Sequence, residues 1–190
     1  MILFIIYAIL IGVLIGYIRG GALKWITNRV MKHMWLIFCS ISIQLVIFSS
    51  LPFIKLLPDY IIAALHLISY TLIIIFILFN IKIPGIAVVG LGSSLNFLVI
   101  FLNGGYMPSL SLTPIRDFGK IIDKNITQIS KHTYLTLLGD IFHLPAWLPL
   151  TNNFSIGDII VALGVCVYFS INMSPTLSKD KDNRQESTII

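Results

Sequence analysis

Charged residues are scarce in this chain of 190 residues, since 13 are Lys or Arg, 8 are Asp or Glu, and together they make up 11% of the sequence. About a quarter of the residues in an ordinary soluble domain are charged. Apolar residues account for 57% of the chain, and the mean hydropathy is +0.94. The chain has too little charge to cover a water-facing surface. This excludes an ordinary soluble domain and predicts an integral membrane protein.

Several signatures of enzymes and binding proteins are also missing. The sequence contains no phosphate-binding loop, no His-Glu-x-x-His zinc motif, no Gly-x-Ser-x-Gly elbow and no cofactor fingerprint. Its two cysteines, Cys39 and Cys166, lie inside long apolar runs, where a thiol behaves as a small apolar group. The basic residues are spread along the chain and form no nucleic-acid patch. We therefore expect no metal, no cofactor, no disulfide and no nucleic-acid partner.

Five apolar stretches are long enough to cross a bilayer, which takes about 20 residues. They run over about 2–18, 35–57, 60–81, 84–102 and 155–173. The sequence therefore predicts an all-α membrane protein with five transmembrane helices in a single membrane domain over residues 1–173. The polar stretch 174–190 has no apolar period, so a disordered cytoplasmic tail is expected there.

The loops give the expected orientation, because Lys and Arg accumulate on the cytoplasmic side of a membrane protein. The segment from Arg19 to Met34 holds four basic residues and no acid, so we place it inside. Five crossings then put the N-terminus outside, the C-terminus inside and the long segment 103–154 outside. These features predict a multi-pass protein of the bacterial plasma membrane, in contact with the lipid bilayer.

The outer segment 103–154 is too long for a simple connection. Thr113-Pro114 supplies an N-cap and a proline at the first helical position, and the residues after it alternate apolar and charged faces. This pattern predicts an amphipathic helix at the outer interface. A second apolar piece, 134–150, is broken by glycine and proline and is too short to span. It is typical of a re-entrant or interfacial element.

Polar residues inside apolar helices need partners. We expect interhelical hydrogen bonds from Gln44, His66, Ser69 and Tyr70. Asn96 and Asn103 lie seven residues apart, on one face of the fourth helix, and could orient a bound group at its outer end. A role in helix packing and helix termination explains the two asparagines equally well.

Two acids stand out at the outer boundary. Gly139-Asp140 is followed eighteen residues later by Gly157-Asp158, and His132 and His143 flank the first pair. If the chain between the acids folds back, the two carboxylates meet at the mouth of the bundle. They would then share a proton, since both cannot ionise at close range, and activate a water as in an aspartic peptidase.

Helix capping is the alternative explanation for both acids. Ser155-Ile156-Gly157-Asp158 has the form of a capping box at the start of the fifth helix, where an acid also complements the helix dipole. Asp140 can likewise cap a turn after Gly139. Both explanations stay open at this point.

Two resemblances involve these residues. Over most of its length the chain is similar to an uncharacterised family of small bacterial membrane proteins, known as a domain of unknown function. The segments that carry this similarity are Arg19-Gly20-Gly21, Asn103-Gly104-Gly105-Tyr106-Met107-Pro108, His132-Thr133, Leu138-Gly139-Asp140 and Phe154-Ser155-Ile156-Gly157-Asp158. That resemblance implies a membrane compartment and no activity.

More locally, residues 139–168 resemble the end of lipoprotein signal peptidase, a membrane aspartic peptidase whose last helix opens with Phe-Asn-x-Ala-Asp. The resemblance implies that Asp158 and Asp140 are the catalytic pair. This chain has Ser155 and Gly157 where the motif has Asn and Ala.

The sequence therefore predicts a small polytopic membrane protein with a site at its outer face. If it is an enzyme, Asp140 and Asp158 alternate as general base and general acid on a membrane-bound peptide. The residues expected to bind or orient the substrate are Asn96, Asn103, His132 and His143. The alternative is a non-enzymatic subunit for substrate binding, transport or assembly, in which the same residues contact a small molecule or another membrane protein.

Overall fold

The computed structural model describes residues 2–27, 30–49, 51–110, 126–128, 132–143 and 153–174. This part of the chain is mostly helical, as the sequence predicts. Its helices are α1 (Ile2–Ile18), α2 (Lys24–Thr27), α3 (Trp35–Ile47), α4 (Pro52–Leu56), α5 (Asp59–Asn80), α6 (Ile86–Leu102) and α7 (Ile156–Asn172). Its short strands are β1 (Met107–Ser109), β2 (Ile126–Gln128), β3 (Phe142–His143) and β4 (Asn153–Phe154).

The long helices pack as a row. α1 lies against α7, α7 against α6, α6 against α5, and α5 against α3. The last helix of the chain is thereby inserted between the first helix and α6. This order brings the start of α7 to the end of α6, which is where the functional side chains described below meet.

Glycines let α7 approach both of its neighbours at backbone distance. A Cβ at Gly92 of α6 would lie 2.5 Å from the carbonyl oxygen of Gly157, and one at Gly164 of α7 would lie 2.5 Å from the backbone nitrogen of Val89. On the other side, a Cβ at Gly12 of α1 would lie 2.7 Å from the carbonyl oxygen of Cys166. Small residues at helix interfaces are typical of packing inside membranes.

The helix predicted over residues 35–57 is interrupted, so the expectation of one continuous helix is wrong. α3 ends at Ile47, and Leu51 has the extended dihedral angles φ −63° and ψ 134° before Pro52 begins α4. Proline lacks the backbone N–H and disfavours a helical conformation in the residue before it. The apolar run is continuous in sequence, but the backbone hydrogen bonding breaks at this point.

One helix in the described ranges, α5, is long and apolar enough to cross a membrane, with 22 residues. The helices α1, α3, α6 and α7 are apolar but shorter. Their predicted bounds agree with the structure to within a few residues, apart from the break after α3. The membrane crossings themselves stay a prediction.

The outer segment is described in part. The predicted amphipathic helix after Thr113-Pro114 lies outside the described residues, as do 144–150 of the predicted re-entrant piece and 175–190 of the tail. Of the re-entrant piece, residues 136–138 form a 3-10 turn and 142–143 form β3. β1 pairs in parallel with β2, and β3 pairs antiparallel with β4.

The expected interhelical hydrogen bonds are present between α3 and α5. The Ser40 hydroxyl donates to the carbonyl oxygen of Ser69 at 2.8 Å, and the Gln44 amide donates to the Ser69 hydroxyl at 3.2 Å. His66 bonds the carbonyl oxygen of Gly105 through Nδ1 at 2.9 Å. These contacts confirm that Gln44, His66 and Ser69 hold structural hydrogen bonds.

Two asparagines fasten loops to helix ends in the same way. The Asn80 side chain accepts from the Lys32 backbone N–H at 2.8 Å and donates to the Lys32 carbonyl oxygen at 2.9 Å. The Asn103 side chain makes the same pair of bonds to Tyr134, both at 3.0 Å. Asn80 is buried, whereas the Asn103–Tyr134 pair is exposed.

We expect Asn80→Ala to lower the free energy of unfolding by about 1–2 kcal/mol, since the part-buried backbone N–H and carbonyl oxygen of Lys32 would lose the partner that Asn80 supplies. Asn103→Ala is the matched control, and it should cost less because water can replace the lost bonds at an exposed site. Equilibrium unfolding in mixed micelles measures both. Equal losses for the two variants would contradict this account.

Candidate functional site

Asp158 is fixed at the first turn of α7 by a capping box. The Ser155 backbone N–H donates to Asp158 Oδ2 at 3.1 Å, and the Asp158 N–H donates to the Ser155 hydroxyl at 3.0 Å. The capping interpretation of this motif is therefore confirmed. Capping uses one carboxylate oxygen and leaves the other for a partner from a different helix.

That partner is Asn96 of α6. Its amide donates to Asp158 Oδ1 at 2.9 Å, and its carbonyl oxygen accepts from the Ser155 hydroxyl at 2.9 Å. All three side chains are buried. Gly157 makes this possible, since a Cβ at that position would overlap the Asn96 amide. The Asp158 carboxylate thus accepts two N–H donors, which suits a group that acts only as an acceptor.

Asp140 reaches the same region from the outer loop. Its N–H donates to the Pro108 carbonyl oxygen at 2.8 Å, and its own carbonyl oxygen accepts from the Leu110 N–H at 3.1 Å. Asp140 thereby pairs with Ser109 of β1 as a short parallel bridge. β1 continues from the end of α6, so this pairing is what carries the loop acid towards α7.

Burial, and in second place the charge of Asp158, raise the pKa of Asp140 to about 7. The side chain is half-buried. Burial disfavours the charged form of a carboxyl group, and a nearby carboxylate adds repulsion. Asp140 is therefore a proton-holding acid near neutral pH, within electrostatic range of Asp158.

Tyr70 of α5 lies close to Asn96 and the two acids. It is buried, faces the Asn96 side chain, and lies within electrostatic range of both acids. Sequence reasoning assigned Tyr70 to helix packing and missed this position. We define the outer acid cluster, named after the orientation that the sequence predicts, as Tyr70, Asn96, Asp140, Ser155 and Asp158.

Asn103 and His143 make their hydrogen bonds outside the outer acid cluster. Asn103 holds Tyr134 and also donates to the Val99 carbonyl oxygen at 2.8 Å, so it fastens the loop. His132 is exposed on the outer loop. His143 bonds Asn153 Oδ1 at 2.5 Å, and Asn153 donates to the Ser109 hydroxyl at 2.6 Å. His143 is therefore linked through Asn153 to the strand that positions Asp140.

The arrangement suits acid–base chemistry. Asp140 holds a proton near pH 7, and Asp158 is held as an acceptor by Ser155 and Asn96. A carboxyl group with a raised pKa beside a second carboxyl group that accepts hydrogen bonds is an arrangement that can serve as an acid and base pair. Within the described ranges, no group of three or more His, Cys, Asp or Glu side chains could hold a metal ion.

The raised pKa of Asp140 predicts how stability depends on pH. The folded protein holds this proton up to about pH 7, whereas the unfolded chain releases it near pH 4. The free energy of unfolding should therefore fall as pH rises from about 4 to about 7 and level off above that. Asp140→Asn should remove this slope. Thermal unfolding in detergent over this range measures the effect, and an unchanged slope in the variant would contradict it.

The comparisons with known proteins cover this region. The model of a family described as "Family of unknown function (DUF5317)" matches residues 28–170, which include Asn96 and both acids. An uncharacterised protein of Thermotoga maritima is 32% identical over 104 residues, which are 54% of this chain and 60% of that protein. The match thus spans less than two thirds of the relative's length. No solved structure matches the chain.

Proposed function

The chain belongs to the DUF5317 family of unknown function, and from this premise we propose that it is a small polytopic membrane protein whose outer acid cluster acts as an aspartic-type peptidase. Membership confirms the expected resemblance to an uncharacterised family but supplies no activity. The proposal therefore rests on the residues of this chain. The convergence of Asp140 and Asp158 at the end of α6 is the observation that carries it.

The surface of the helices supports membrane placement. Many large apolar side chains on the long helices are more than half exposed, including Leu10, Leu14, Phe38, Leu45, Leu78 and Phe101. α1, α3 and α6 contain no charged residue, and α5 and α7 each contain one acid in the first turn. An apolar surface of this kind is a liability in water and is normal in lipid.

The proposed topology has five crossings, with the N-terminus outside and the C-terminus inside the bacterial plasma membrane. α3 has 13 residues and is only about 20 Å long, which is less than the roughly 30 Å of a bilayer core. We therefore propose that residues 35–57 cross as α3 followed by α4. The outer acid cluster then lies at the extracellular side.

Reporter fusions test this topology. A fluorescent protein that folds only in the cytoplasm should be bright when fused after Ser174 and dark when fused to a chain truncated after Leu110. An exported phosphatase at the same two positions should give the opposite pattern. The reverse result for either position would contradict the topology, and recovery of the chain in the aqueous fraction would contradict membrane placement.

We propose a separate role for each acid. Asp158 takes a proton from a water that attacks the peptide carbonyl carbon, while protonated Asp140 donates its proton to the carbonyl oxygen. In the second step Asp158 gives its proton to the departing amine, and Asp140 recovers one from the hydrate as the C–N bond breaks. Asn96 orients Asp158 throughout. General acid–base catalysis of this kind needs both groups in place.

A non-enzymatic membrane subunit is the second candidate function. It is favoured by the hydrogen bonds of Asp158, since both carboxylate oxygens accept a bond, one from Ser155 and one from Asn96. These bonds give the acid a structural role without any substrate. In that case the outer acid cluster would bind a small molecule or a partner protein, in substrate binding, transport or assembly.

Mapping of protein N-termini separates the two candidates. Membranes from cells that produce the wild-type chain should contain new N-termini of cleaved proteins, and these should be absent when Asp140→Asn replaces it at equal abundance. Identical N-termini in the two samples would exclude the peptidase and leave the subunit. This experiment also identifies a peptide substrate for kinetic work.

A further inference from the structure

A second site lies at the opposite end of the bundle. An apolar cavity of about 190 Å³ is lined there by residues of α3, α5, α6 and α7 and of the loop before α3. The lining includes Met31, Met34, Ile73, Phe76, Val89 and Phe169. Met34 is 42% exposed, so the cavity reaches the surface of the bundle. Its apolar lining suits a hydrocarbon chain.

Two lysines stand beside this cavity. Lys32 lies between the lining residues Met31 and Met34, and Lys82 lies four residues before Ile86, which also lines it. Both lysines are exposed. Asn80 fixes the backbone of Lys32 and stands two residues before Lys82, so the two basic residues belong to one end of α5.

In the described part of the chain, no acidic side chain of neighbouring sequence balances these charges. The first acid of the chain is Asp59 and the next is Asp117, and Asp59 lies at the other end of α5. The loop that carries Lys32 is also held in place, since His33 packs on Phe79 with ring centroids 4.4 Å apart. A fixed positive rim beside an apolar cavity is complementary to a ligand with one anionic head and one apolar tail.

We propose that this end of the bundle binds one anionic phospholipid, with an acyl chain in the cavity and its phosphate between Lys32 and Lys82. The inference rests on the proposed membrane placement and not on the proposed peptidase activity. Basic pockets between transmembrane helices on the cytoplasmic side are known to bind anionic headgroups. Lys32 and Lys82 would then serve two purposes, since they help to orient the chain in the membrane and also bind the lipid.

Native mass spectrometry of the full chain in neutral detergent tests this. The probes are dioleoylphosphatidylglycerol and dioleoylphosphatidylcholine, which share acyl chains and differ in net charge. We expect the wild type to prefer phosphatidylglycerol, and the double variant Lys32→Gln/Lys82→Gln to bind it roughly 20-fold more weakly, since each lysine near an anionic headgroup contributes a factor of about five. Lys55→Gln, in α4 beyond the far end of α3, is the matched control and should keep the preference.

A second variant tests the cavity separately. Ile73→Trp should fill it and weaken the binding of both lipids while the ratio between them stays as in the wild type. Equal binding of the two lipids by the wild type, or a preference that survives in the double lysine variant, would overturn the proposal. A chain that does not fractionate with membranes would instead overturn the membrane placement on which it rests.

Discussion

Asp140→Asn is expected to slow peptide cleavage by about 10²–10⁴-fold, the usual contribution of a general acid or base, while the variant stays folded. Among the described residues, the hydrogen bonds of Asp140 are made by its backbone, and asparagine keeps them. Asparagine also removes a half-buried carboxyl group whose charged form is disfavoured by burial and by Asp158. The measurement is the cleavage rate on a peptide identified by N-terminal mapping, together with the unfolding temperature.

Asp158→Asn should behave differently. It removes a carboxylate that accepts from Ser155 and Asn96, and an amide in its place leaves one of these buried donors without an acceptor. Loss of such a partner costs about 1–3 kcal/mol. This variant should therefore lose both activity and stability.

Asp59→Asn is the control variant, because it shows whether removing any acid at this end of the bundle slows peptide cleavage. Asp59 lies in the first turn of α5, at the same end of the bundle, but is not part of the outer acid cluster. We expect full activity from this variant. Full activity in Asp140→Asn would exclude the peptidase mechanism, and equal destabilisation by Asp140→Asn and Asp158→Asn would show that both acids are structural.

The pH dependence of cleavage follows from the same assignment. The pKa of Asp140 is raised to about 7 by burial and by Asp158, and this acid must be protonated at the start of the reaction. The wild-type rate should therefore fall as pH rises through about 7. A rate that is constant from pH 6 to pH 8 would contradict Asp140 as the proton donor.

The helices α1, α5, α6 and α7 follow from local sequence because each is an apolar run of suitable length. α5 and α6 begin and end within a few residues of the predicted bounds. The capping box at Ser155 and Asp158 is likewise local, since four consecutive residues carry the whole motif. The break before Pro52 is also local, but hydropathy alone does not show it, because a proline within an apolar run does not lower the average.

The assembly of the site depends on contacts that no local pattern encodes. Asp140 is positioned by pairing with Ser109, 31 residues earlier, and the two segments share no periodicity. Tyr70 joins the outer acid cluster because α5 packs on α6, an order that composition does not specify. The Asn80 bonds to Lys32 span 48 residues. Such pairings are set by the tertiary packing of the bundle.

Gly157→Ala should destabilise the contact between α7 and α6. Alanine is favoured over glycine in a helix by about 1 kcal/mol, so the local effect is stabilising. This gain is opposed by a steric clash, because a Cβ at this position would overlap the Asn96 amide and lie 2.9 Å from the carbonyl oxygen of Gly92. Overpacking costs about 1–3 kcal/mol and is higher when backbone must move. Because a backbone atom of α6 is involved, we expect a net loss of about 2 kcal/mol or more.

A double-mutant cycle identifies the origin of that loss. Asn96→Ala removes the amide that a Cβ at Gly157 would overlap, so the double variant should be less destabilised than the sum of the two single changes. Leu163→Ala, on an exposed position of α7, is the control for a general weakening of the helix. The opposite result would be that Gly157→Ala stabilises the protein by the amount that alanine is favoured over glycine in a helix. That result would mean that α6 and α7 are too far apart at Gly157 for a Cβ to meet the backbone of α6. The hydrogen bond that orients Asp158 would then lose its support, because it exists only where the two helices meet at Gly157.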